Sequence, residues 1–105
     1  MKDFIHDARS LQLQDSLSLQ LGGETHVKSA HGFIGVLTPT EIIEVKHIKK
    51  YLHAIGQVLG SSLAFPDRLR RIHLFGSTNE VTPDMLSKVT PLCEKYKISV
   101  TYEIL

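Results

Sequence analysis

The sequence predicts an α/β fold built on a mixed sheet with helices packed against it. Apolar and polar residues alternate through Glu41–Lys46 and again through Ile98–Ile104, the period of a half-buried strand. Between them Ile48, Leu52, Ile55, Val58 and Leu59 recur at helical spacing. The connections differ in kind. The early strands are joined by links too short for a crossover and pair as antiparallel hairpins. The late strands are separated by a helix, and a strand–helix–strand unit makes a parallel pair with a right-handed crossover.

Each element follows from local signals. A first helix is predicted over residues 4–21, which carry Phe4, Ile5, Ala8, Leu11, Leu13, Leu17, Leu19 and Leu21. Leu13, Leu17 and Leu21 form an i, i+4, i+8 stripe, although Leu17–Leu21 also alternates like a strand, and Gly22-Gly23 is a strong stop. Glu24–Ser29 alternates as a short edge strand, Ala30-His31-Gly32 reads as a turn, and Phe33–Thr38 is a β-rich run interrupted by Gly35. Pro39-Thr40 leads tightly into Glu41–Lys46. A helix over residues 48–59 ends at Gly60-Ser61-Ser62, and Arg71–Phe75 is the next strand. Thr82 caps the last helix with Pro83 at its first position. Met85, Val89, Leu92, Cys93 and Tyr96 supply its apolar side, and Ile98–Ile104 is the final strand. The predicted order is an αβββαβ core followed by an extra αβ, in one domain over residues 1–105.

Composition narrows the function classes. A chain of 105 residues with 42% hydrophobic and 22% charged residues can bury one core. The formal net charge of +1 does not announce a nucleic-acid binder, so local clusters must make that case. Cys93 is the single cysteine, which excludes an intramolecular disulfide and fits a reducing, intracellular compartment such as cytoplasm or nucleus. No apolar run reaches membrane-spanning length, and the first residues hold no signal-peptide core. The six histidines show no paired zinc spacing on one element.

The chemistry-bearing stretch is Glu41-Ile42-Ile43-Glu44-Val45-Lys46. Glu44 and Lys46, two apart on a strand, project from one face while Ile43 and Val45 take the other. Such a pair can hold a divalent metal and an anionic oxygen together. Glu41, three before Glu44, falls on the opposite face. The basic run Lys46-His47-Ile48-Lys49-Lys50 continues from the strand and could grip phosphates, and a second run, Arg68-Leu69-Arg70-Arg71, reads as structural. A Glu-x-Lys pair alone is more often a solvated strand face than a site.

Gly32-Phe33-Ile34-Gly35-Val36-Leu37-Thr38 followed by Ile42-Ile43-Glu44-Val45-Lys46, with Ala54-Ile55-Gly56-Gln57 on the next helix, resembles the PD-(D/E)XK nuclease superfamily. The resemblance covers roughly residues 8–75. It implies a restriction-endonuclease-like core and a metal-dependent DNA endonuclease that hydrolyses phosphodiesters, with Mg²⁺ or Mn²⁺ as cofactor. It implies Glu44 and the Val45 backbone carbonyl as metal ligands, Glu24 as a possible second acid, Lys46 as charge stabiliser and Gln57 as a positioning group. Lys46, His47, Lys49 and Lys50 would contact duplex or branched DNA, and such domains often form homodimers. Gly35 stands where the family places its metal-binding aspartate, so metal binding should be weak or absent and the chain should cut poorly or not at all. Three readings of Gly35 remain open: an engineered inactivating change, natural degeneration, or a bulge where DNA approaches the backbone. The alternative function is a non-catalytic nucleic-acid- or protein-binding module on the same fold.

Overall fold

The computed structural model describes residues 2–105, with side chains from residue 8 onward. The side chains of Phe4, Ile5 and His6 lie outside that set. The elements are α1 (Lys2–Leu21), β1 (Glu24–Ser29), β2 (Gly32–Leu37), β3 (Glu41–His47), a 3₁₀ turn (Ile48–Lys50), α2 (Tyr51–Ser62), β4 (Leu69–Gly76), α3 (Pro83–Lys95) and β5 (Ile98–Ile104). The strands form one sheet in the order β1-β2-β3-β4-β5. β1–β2 and β2–β3 are antiparallel, whereas β3–β4 and β4–β5 are parallel. The mixed α/β sheet and the element order expected from the sequence are both present.

The two faces of β3 bury different cores. Ile42 joins Ile34, Ile72 and Leu74 beneath α2 and α3, where Ala54, Val58, Val89 and Cys93 complete the cluster. Ile43 and Val45 join Val36 and Phe75 on the other face, covered by Leu13 and Leu17 of α1. α1 stops at Gly22, whose φ of +65° suits glycine, and the Gly23 amide donates back to the Ser18 carbonyl at 2.9 Å. Thr82 Oγ1 accepts from the Met85 amide at 3.2 Å and so caps α3.

Alternation fails at one place. Ile34 and Val36 are two apart, yet they lie in the two different cores. The β1–β2 ladder pairs Thr25 with Val36 and Val27 with Ile34, and skips His26 and Gly35 between them. His26 has a φ of 55°, an uncommon backbone for a non-glycine residue. The hairpin is therefore kinked at His26 and Gly35, and each strand changes the face it presents.

The second helix differs in phase from expectation. Ile48 is buried in the 3₁₀ turn, and the α-helix starts only at Tyr51. A 3₁₀ turn advances about 120° per residue against about 100° in an α-helix, so a stripe counted from Ile48 drifts. Leu52 consequently points outward, 61% exposed, while Ala54 takes the buried position. The helix also runs through Gly60 to Ser62.

Candidate functional site around the third strand

Glu44 is only 3% exposed, on the sheet face opposite Ile43 and Val45. The Gly35 amide donates to its Oε1 at 3.3 Å. Burial pushes its carboxyl up to about 7, against the opposing pulls of that hydrogen bond and of Lys46. Lys46 follows on the same face by strand alternation. Val45, whose carbonyl was a candidate ligand, is fully buried and pairs with His73 in the β3–β4 ladder. Gln57 shares a stripe of α2 with the buried Ala54, Val58 and Ser61, and its Oε1 is buried without a hydrogen-bond partner. Glu44, Lys46 and Gln57 thus belong to one side of the sheet.

The other expected metal positions do not join them. Glu24 aligns with Leu37, which aligns with Ile42, so it stands two strands away from Glu44 and two residues along. It lines a separate cavity of about 260 Å³ with Thr38, Pro39 and Arg68. A Cβ on Gly35 would lie 2.9 Å from the Ile43 carbonyl oxygen and 3.3 Å from Gln14 Nε2. Gln14 belongs to α1, so a side chain here would head for the α1 face, away from the face that Glu44 takes. Glycine at 35 is the residue this backbone requires, which corrects its reading as a replaced aspartate. Among the described residues, no three His, Cys, Asp or Glu side chains come together to hold a metal ion. The residues present therefore do not fit an Mg²⁺ or Mn²⁺ centre, and no step is derived through one.

The basic residues separate into two groups. His47 is 2% exposed and structural. Its Nδ1 accepts from the Lys49 amide at 3.2 Å, its Nε2 lies 3.1 Å from Glu80, and its ring meets Phe75 edge-on at 5.4 Å. So buried a ring presents little to a phosphate. Glu80 accepts from the Ser77 amide at 2.8 Å; that bond, followed by His47, holds its carboxyl down at about 2. Lys49 is 67% exposed, with its Nζ 3.7 Å from Glu80. The arginines are internal ties, as expected. Arg68 donates to the Thr38 carbonyl at 3.0 Å, Arg70 to the Tyr96 carbonyl at 2.6 Å, and Arg71 lies 3.2 Å from Glu41.

His73 is a buried residue of β4, as its place in an apolar strand predicts, and its ring nitrogens lie 2.7 Å from Thr101 Oγ1 and 3.0 Å from Glu103 Oε1. Strand parity could have placed all three on one face, but only the β4–β5 register brings them together.

No model of a known protein family matches the chain, and no solved structure matches it. It is similar to KilA-N domain-containing proteins of Acanthamoeba polyphaga mimivirus. One is 32% identical over 93 residues, covering 88% of this chain and 36% of that protein. A second is 29% identical over 99 residues, covering 92% of this chain and 25% of that protein. The chain spans little more than a third, at most, of the curated relatives it matches. These relatives are named for a different domain, and they overturn the resemblance to PD-(D/E)XK nucleases.

Proposed function

We propose that this chain is a non-catalytic nucleic-acid-binding module whose ligand is DNA. One observation carries the reading. Between residues 25 and 66 the only acidic residues are Glu41 and Glu44. Glu41 is paired with Arg71, and Glu44 is buried with its charge suppressed near neutrality. Lys28, Lys46 and Lys49 of the same stretch therefore meet almost no exposed negative charge from within it. The Lys49–Glu80 contact is a surface pair of small worth. A locally cationic stretch on a chain of net charge +1 suits phosphate binding. The similarity to KilA-N domain-containing proteins supports a nucleic-acid ligand. Such a ligand is met inside the cell, which agrees with a single, buried thiol. Neither the fold nor the relatives support a homodimer, and it forms no part of the proposal.

The test is a fluorescence-anisotropy titration of a labelled DNA duplex over a range of salt concentrations. Log affinity should fall linearly with log salt, and the slope should shrink by roughly 0.9 for each of Lys49→Ala and Lys50→Ala if each neutralises one phosphate. Affinity indifferent to salt, or a double variant that binds like the parent, would overturn the proposal.

A further inference from the structure

The β1–β2 hairpin carries an exposed aromatic ring, Phe33, that the duplex-binding reading does not use. Lys28 and Phe33 are directly paired across the hairpin. Paired residues on antiparallel strands project from the same side. The adjoining pair, Val27 and Ile34, packs against the core beneath α2, so Lys28 and Phe33 face the opposite way. Phe33 is 60% exposed, and Lys28 is exposed beside it. No acidic residue occurs from 25 to 40, whereas His26 and His31 flank the pair.

The tip is held in place. Ser29 Oγ donates to the Gly32 carbonyl at 2.8 Å and closes the turn. His31 packs so closely on α2 that a Cβ at Gly60 would lie 3.2 Å from the His31 Cβ. Ordinary strand alternation buries Ile34 and turns its neighbour Phe33 to the outer side. A large ring held in solvent on an anchored hairpin, beside a cation and in a stretch without carboxylates, is suited to an aromatic ligand that carries negative charge.

Resting on the nucleic-acid reading above, we propose that Phe33 and Lys28 form a site for unpaired bases of single-stranded DNA. One base stacks on the Phe33 ring, and the adjacent phosphate meets the Lys28 ammonium. Stacking on an aromatic ring is open to any base, so the site selects strandedness rather than sequence. Duplex DNA keeps its base faces covered and would use only the phosphate contacts.

The experiment titrates the full chain with a labelled oligo-dT and with a duplex of equal length. Phe33→Ala should weaken oligo-dT binding roughly five- to hundredfold, the range for losing one stacked base, and leave duplex binding unchanged. Phe33→Trp should retain oligo-dT binding. Lys28→Ala should reduce the salt slope for the single strand by roughly 0.7. Phe33 is solvent-facing, so circular dichroism of both variants should match the parent. The site is refuted if Phe33→Ala and Phe33→Trp bind oligo-dT alike, or if Phe33→Ala weakens duplex binding to the same degree. Salt-dependent duplex binding with oligo-dT binding indifferent to Phe33 removes this site alone. Binding to neither DNA removes the nucleic-acid reading with it.

Discussion

A methyl group at position 35 would have to sit 2.9 Å from the Ile43 carbonyl oxygen, inside any real carbon–oxygen contact, and 3.3 Å from Gln14 Nε2. The carbonyl is sheet backbone and cannot swing aside as a side-chain tip can. Gly35→Ala is therefore expected to destabilise the fold by about 1–3 kcal/mol, the usual cost of forcing atoms into filled space, read as a lower urea midpoint. Gly35→Asp should lose at least as much, and metal ions should not restore it. The face of Glu44 was legible in the sequence, because strand parity needs only regular alternation, and β3 is regular. The setting of Gly35 was not, because the kink at His26 and Gly35 breaks alternation where parity had to be trusted. His47 illustrates a related gap. It sits within a basic run and reads as cationic surface, but its neighbours in space, Phe75 and Glu80, come from distant parts of the chain.

At the level of elements, ends were easier to read than phases. Gly22 and Thr82 mark helix boundaries by chemistry that acts within a few residues, so local sequence suffices. Thr82→Ala removes the acceptor for the Met85 amide and should cost about 1 kcal/mol, seen as a drop in Tm, with Thr82→Ser keeping most of the stability. Phase is less local. The 3₁₀ turn at Ile48–Lys50 follows from His47 capping the Lys49 amide, and His47 is held in turn by Glu80, from the segment between β4 and α3. A stripe counted in the sequence from Ile48 could not anticipate the offset that leaves Leu52 in solvent.

For the molecule as a whole, pH is the clearest lever. Glu44 has its folded-state pKa raised from 4.5 to about 7, so the native state retains a proton that the unfolded chain has lost. Stability should therefore be greatest below about 4.5 as far as this group is concerned, fall as pH rises through that window, and level off above about 7. The full swing is on the order of 3 kcal/mol. Glu44→Gln keeps an oxygen for the Gly35 amide and should flatten the slope, raising the urea midpoint at pH values above the window. Glu80 acts in the adjoining range with the opposite sign. Its pKa is lowered from 4.5 to about 2, so its contribution is present above 4.5 and lost as pH falls through that range. The paired behaviour could not be foreseen from composition, because it depends on which carboxylate is buried and which is hydrogen-bonded.

Strand order in space repeats strand order in the chain, from β1 at one edge to β5 at the other. Each strand thus docks on the one made just before it, and none has to insert between two already in place. Assembly can proceed from one edge as a chain emerges from the ribosome, with every intermediate differing from the next by one strand and its crossover. The largest loop closures needed are the two helical crossovers, and the parallel pairings they make are the slow steps of that assembly.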